Sequence, residues 1–231
     1  MTSIKEQKWS IPQSVHEVEN YMKQRVGLGI SFDFNERKLK ILDKDVYLYC
    51  ISGLCDTLFI THLIEELVEI NDHEELGSDV FKIIENRLVN YSVEKNDQLD
   101  YMIDKVLSGL LGVVVDGADQ AFIIDVRSYP GRSPQEPDTE KVVRGARDGF
   151  VENIIMNTGL TRRRIRDERL RFEMIRVGKR SKTDVAIGYI QDVADPDLLN
   201  IIRKELEGID TDGIPMADKT IEEFLINQGW N

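Results

Sequence analysis

The stretch Leu111-Gly-Val-Val-Val-Asp-Gly-Ala-Asp-Gln-Ala-Phe-Ile-Ile-Asp-Val126 decides the fold class. Its two halves, 111–115 and 121–126, are rich in β-branched and apolar residues, with Asp116-Gly117 between them. An Asp-Gly pair between two such runs predicts a hairpin, because glycine supplies the positive φ that a tight turn needs. Just upstream, Leu99, Met102, Ile103, Val106, Leu107 and Leu110 recur at helical spacing. A helix feeding directly into a buried hairpin places the chain among mixed α/β proteins.

The same reading extends outward. Ser14 and Glu17 have the spacing of a capping box, ahead of Val15, Val18, Tyr21, Met22 and Val26 on one helical face. Residues 30–34 alternate Ile30, Phe32 and Phe34 against Ser31 and Asp33, which predicts a short strand. A turn at 35–37, a strand at 39–42 and a more buried strand at 46–51 follow. Ile60, Leu63, Ile64, Leu67 and Val68 predict one helix, and Val80, Phe81, Ile84 and Leu88 another. Pro130, Pro134 and Pro137 interrupt residues 129–140, which read as an extended linker. Beyond it, a helix is expected over 146–165, burying Phe150, Val151, Ile154 and Ile155. Strands at 170–177 and 184–190 follow, then a helix capped by Asp195 with Pro196 at its first position and ended by Gly208. Thr220 and Glu223 form a second capping box. The expected organisation is an N-terminal helical segment (1–27), a first α/β subdomain (28–128), the Pro-rich linker (129–140) and a second α/β subdomain (141–231).

The 231 residues are 41% hydrophobic and 31% charged, which is the composition of a folded globular protein. A net charge of −12 disfavours nucleic acid as a partner, since phosphate backbones would be repelled. No apolar run is long enough to cross a bilayer, and the polar N-terminus lacks the apolar core of a secretory signal. A cytosolic or cytosol-facing chain is expected.

Catalytic and metal chemistry find little support. His16, His62 and His73 have no metal-ligand spacing, and Cys50-x4-Cys55 has no second pair to complete a zinc site. The two cysteines read as buried thiols in a reducing environment. Gly178-Lys-Arg-Ser-Lys-Thr183 lacks the second glycine of a phosphate-binding loop and lies between two strands, so a polar strand-to-strand connection is expected. No catalytic residue, metal or cofactor is expected. One feature is unusual in so acidic a chain: Arg162-Arg163-Arg164-Ile165-Arg166, with Arg144, Arg147 and Arg171 nearby in sequence. It can be the basic C-terminal end of a helix, favoured by the macrodipole and paired internally. It can equally be a set of donors to carboxylates of a neighbouring subunit or to anionic lipid headgroups. Consecutive helical residues diverge by about 100°, so three arginines in a row cannot all serve one intramolecular pair.

Several of these segments together resemble the GerA family of spore germination proteins. They are Gly53-Leu-Cys-Asp56, Val115-Asp116-Gly117, Asp125-Val-Arg127, Glu136-Pro137, and the run Glu140-Lys-Val-Val-Arg144-Gly145-Ala-Arg147-Asp-Gly149-Phe150-Val-Glu152. They continue through Asn157-Thr-Gly-Leu160-Thr-Arg162-Arg163-Arg164-Ile165, Ser181-Lys-Thr183-Asp-Val-Ala-Ile-Gly-Tyr189-Ile190 and Ile209-Asp210-Thr-Asp212-Gly213-Ile214. Ala146 stands where family members often carry proline. The tail from Ile214 resembles the stage V sporulation branch more than the nutrient-receptor A subunits.

The resemblance implies a spore inner-membrane protein whose cytosolic N-terminal region precedes several transmembrane helices. It also implies a part in germination, with membrane parts that assemble into ion-conducting oligomers. The expected partners are further copies of the chain, other spore membrane proteins or germinant-receptor subunits, and anionic lipid. The candidate interface residues are Arg144, Arg147, Arg162, Arg163, Arg164 and Arg166. The alternative is a sensor holding a small molecule in a cleft between the two α/β units.

Overall fold

Alternation along the strands divides one sheet between two hydrophobic cores. In the computed structural model, which describes residues 9–129, 149–209 and 221, five strands form an antiparallel sheet. They are β1 (Phe34–Ile41), β2 (Lys44–Ile51), β3 (Val93–Asn96), β4 (Leu111–Val115) and β5 (Ala121–Ile124), in the spatial order β1-β2-β4-β5-β3. Helix α1 (Val15–Tyr21), its π-helical continuation Met22–Val26 and α5 (Leu99–Leu107) contribute to one core, where Tyr47, Tyr49, Val114 and Ile123 meet Val18, Met22, Met102 and Val106. Helices α2 (Thr57–Val68), α3 (Ile70–His73) and α4 (Val80–Arg87) contribute to the other, where Leu48, Val113 and Phe122 meet Leu63, Leu67, Ile70 and Ile84. Successive residues of one strand therefore serve opposite cores. The central β4 and β5 are buried on both faces, so their sequences are continuously apolar. Each large side chain so buried contributes about 1.5–3 kcal/mol.

A second, two-stranded sheet pairs β6 (Leu170–Val177) with β7 (Thr183–Ile190). Helix α6 (Ile154–Arg164) precedes it and α7 (Pro196–Glu207) follows it. Asp195 caps α7 by accepting from the Asp197 N–H, and Gly208 follows its last turn. Leu206 and Ile209 close a third, smaller core with Val177. The mixed architecture agrees with the α/β expectation, and every strand pairing is antiparallel.

Several local expectations change. Residues 35–37 are not a turn: β1 runs straight through them, and the hairpin reverses at Leu42 (φ 53°). Residues 30–33 form no strand, and Asp33 is fully buried. Ser14 sits at the N-cap of α1, but its side chain makes no capping bond; the Asp116 carboxylate accepts from the Val15 N–H at 3.4 Å instead. Helix α6 begins at Ile154, not 146, with Asn153 as its cap. Phe150, expected in a core, is 74% exposed. The linker, apart from Tyr129, and the Thr220–Glu223 capping box lie outside the described residues.

Candidate functional site

The arginine run ends α6, and the helix splits it by direction. Arg162 faces inward and has no exposed surface. Its guanidinium grips Asp33, also fully buried, as a fork: Nε donates to Oδ2 at 3.0 Å and Nη2 to Oδ1 at 3.1 Å. Nη2 also reaches Ser31 Oγ at 3.4 Å, and Nη1 donates to the carbonyls of Asp167 and Leu170 at 3.3 and 3.2 Å. Each nitrogen of the fork thus has an acceptor, which is what a buried charge requires. The Phe172 ring lies 5.3 Å beneath. Ser31 extends the network: its hydroxyl donates to Asp33 at 2.8 Å and accepts from the Phe172 N–H at 2.9 Å. The Phe32 N–H donates to the Phe172 carbonyl at 3.0 Å, so residues 31–33 are bonded to β6 of the second sheet.

Arg171 lies alongside, 1% exposed. It donates to the carbonyls of Glu168 and Leu170, to the Arg25 carbonyl at 2.7 Å and to Gln191 at 2.6 Å. The Arg25 carbonyl closes the helical turn after α1, so Arg171 caps that helix end from the other sheet. Burial, and then the charge of Arg162, hold the Arg171 pKa below its usual value. Its Nε has no acceptor; it is pressed against Gly27, where a Cβ would sit only 2.3 Å away. A second close approach lies at Gly53 (φ 81°), where a Cβ would lie 2.6 Å from the Ile155 carbonyl. Gly159 of α6 in turn faces the Gly53 carbonyl. Side chains and backbone together make a dry seam between the two sheets' surroundings.

Outside the seam, Arg163 to Arg166 are exposed. The Arg163 guanidinium lies 4.7 Å over the Tyr129 ring. Arg166 lines a cleft of about 850 Å3, whose walls include Trp9, Asp100, Tyr101, Asp104 and Glu168. Arg25 crosses the cleft, donating to Asp100 at 2.6 Å and to Glu168 at 2.6 and 3.0 Å. Burial works against its charge, but these carboxylates outweigh it and raise its pKa.

Of the six candidate interface arginines, Arg162 is spent inside the molecule and cannot meet a partner from this position. Arg163, Arg164 and Arg166 stay on the surface, and Arg144 and Arg147 lie outside the described residues. Sequence reasoning missed Ser31, Asp33, Gly27 and Arg25. The available signal was Phe32-Asp33-Phe34, an acid between two aromatic residues. His16 approaches the Tyr47 hydroxyl at 3.2 Å and His62 approaches Glu65 at 3.2 Å. Among the described residues no cluster of metal-ligating side chains occurs, and no helix is long and apolar enough to cross a membrane.

Residues 20–231 match the family described as Bacillus/Clostridium GerA spore germination protein. Stage V sporulation protein AF of Bacillus subtilis (strain 168) is 59% identical over 231 residues, covering all of this chain and 47% of that protein. The uncharacterized membrane protein YfkQ of the same organism is 30% identical over 167 residues, covering 72% of this chain and 30% of that protein. The chain thus spans about a third to a half of the length of these relatives. The crystal structure of the N-terminal domain of the A subunit of the Bacillus megaterium spore germinant receptor GerK3 shares the fold. Its TM-score is 0.70 at 23% identity, and the match covers 97% of this chain and 82% of that one.

Proposed function

Because this chain belongs to the GerA family of spore germination proteins, we propose that it is the region through which a longer membrane protein assembles and couples to its channel-forming part at the cytosolic face of the spore inner membrane. The observation that carries this reading is the division of the arginine run. One arginine is consumed in a fully satisfied buried pair, which joins the two sheets across the seam. Arg163 and Arg166 remain on the surface of an acidic chain, where a planar guanidinium suits carboxylates of a neighbouring subunit. A region held together by a buried pair and carrying basic surface contacts can pass force to whatever it is attached to. The test is to place Arg163→Glu and Arg166→Glu in the full-length protein in spores and to measure germination rate and the co-purification of subunits. Normal germination with unchanged co-purification in both variants would sink the assembly reading.

The cleft of about 850 Å3 favours a second reading, a sensor for a small molecule held between the two units. A metabolite retained by the folded chain in native mass spectrometry, and lost on substitution of Arg25 or Asp100, would support it. A ligand-free chain that self-associates with rising concentration would favour assembly.

A further inference from the structure

Helix α7 is apolar over more of its surface than the third core uses. Ile202 and Leu206 turn inward and pack beside Val177. Leu198 and Ile201 lie on the flank of that stripe and stay 39% and 46% exposed. Val193, in the turn that leads into the helix, is exposed as well. Residues four apart share a helical face, so Ile201 lies between Asp197 and Glu205 in one outer row. The two acids stand about 12 Å apart along the axis, at about 1.5 Å per residue. Lys204 borders the row, which leaves two acids to one base on it. Asp197 suits the first turn of the helix, but Glu205 lies in the last turn, where the macrodipole disfavours a negative charge. Neither carboxylate forms an ion pair among the described residues.

The end of α6 carries the opposite pattern. Ile165 is 38% exposed and lies in sequence between the surface arginines Arg163 and Arg166. These two also form no ion pair among the described residues. An acid–isoleucine–acid row and an arginine–isoleucine–arginine group are complementary in charge and alike in apolar content. We propose that the outer row of α7 in one copy of the chain docks on the end of α6 in another copy. Asp197 and Glu205 accept from Arg163 and Arg166, while Leu198 and Ile201 cover Ile165. This rests on the reading of the surface arginines as assembly contacts, and it supplies the surface they meet. A guanidinium matches a carboxylate as a planar fork, and covering the isoleucines keeps water from the pairs. Every copy carries both surfaces, so every copy both gives and receives the contact.

The test is sedimentation velocity over a range of concentrations, on the wild-type chain and two charge-reversed variants. One variant combines Arg163→Glu with Arg166→Glu, and the other combines Asp197→Arg with Glu205→Arg. The wild type should self-associate, and less so in high salt, because exposed ion pairs are screened. Each variant alone should associate about tenfold more weakly or worse, since like charges then face each other. An equimolar mixture of the two should recover the association, because reversed arginine positions meet reversed acids. Ile201→Ser leaves every charge in place and should also weaken association. Thermal melts show which chains are folded, and if the α7 charge variant is not, Ile201→Ser decides alone. The proposal is overturned by a wild type that stays monomeric, by a folded α7 variant that associates like the wild type, or by a mixture of folded variants that does not recover. If the arginine variant weakens association and the α7 changes do not, the arginines meet another surface. This inference then fails while the assembly reading stands.

Discussion

Arg162 and Arg163 are neighbours in sequence and opposites in circumstance. Arg162 has lost all contact with water and is gripped by Asp33, Ser31 and two carbonyls. Arg163 is exposed and rests on one aromatic ring. A helix turns about 100° per residue, so one step along the chain carries a side chain from a dry seam to open solvent. The difference teaches how to read a charged run. Composition treats these residues as equivalent, whereas desolvation commits one of them to an internal partner and leaves the next on the surface.

The comparison breaks most easily at Asp33. Removing its charge leaves Arg162 buried and unpaired beside Arg171, which has no carboxylate among its hydrogen-bond partners. Loss of one partner of a buried pair costs about 3–5 kcal/mol. Asp33→Ala should therefore lower the melting temperature by roughly 6–20 °C, at about 2–4 °C per kcal/mol for a chain of this size. Replacing both partners, as in Asp33→Leu with Arg162→Met, should recover part of the loss, because no charge is then stranded. Thermal melts of the three chains check this. A drop under two degrees for Asp33→Ala would mean that the seam opens readily to water.

Gly53 probes the seam through shape alone. An alanine there must adopt a positive φ and place its Cβ against the Ile155 carbonyl, a backbone atom that cannot swing aside. The expected cost is about 1–3 kcal/mol, read as a shift of the urea midpoint. Alanine at Gly29, which has a similar φ but open space around it, should cost less. Equal shifts would show that backbone strain alone matters and that the packing against α6 does not.

How much of this was legible follows from the range of each interaction. Helices α2, α4 and α5 carry their apolar stripes within a dozen residues, and the β4–β5 hairpin carries its turn between its strands, so local pattern sufficed. Strand β3, Val-Glu-Lys-Asn, has no apolar alternation; it is a strand because β5 offers it an edge. The early start expected for α6 failed because Phe150 is apolar yet unburied. The seam was illegible for a deeper reason. Asp33 and Arg162 are 129 residues apart, and no local pattern tells a buried acid from a solvated one. Divergence of the arginines was readable from helical geometry; which of them turns inward was not.

A smaller effect should appear on acidification. Glu19 of α1 accepts from Lys23 and from Lys38 of β1, and these bonds hold its pKa down to about 2, from 4.5 for the free group. A lowered carboxylate pKa means that the folded state favours the charged form. Its contribution is complete above about pH 4.5 and is lost as the pH falls through the folded value. Urea midpoints measured between pH 6 and 2 should fall less steeply in Glu19→Gln than in the wild type. Parallel curves would show that the pair adds nothing to stability.

The smallest change is expected at Arg163, and it sharpens the comparison most. Its visible partner is the Tyr129 ring, and an exposed cation–π contact contributes about 0.5–1 kcal/mol. Arg163→Ala should therefore move the melting temperature by no more than about 4 °C, at about 2–4 °C per kcal/mol. Arg162→Ala, one residue away, should lose far more: it strands the Asp33 carboxylate in a dry site and empties a fully buried volume. The pair of variants controls for helix propensity, since both replace arginine with alanine in the same last turn of α6. If the two melts coincide, the inward and outward positions are energetically equivalent and the division of the run carries no meaning. If they separate as expected, any germination defect of a full-length Arg163→Ala protein reports on its partners rather than on its folding.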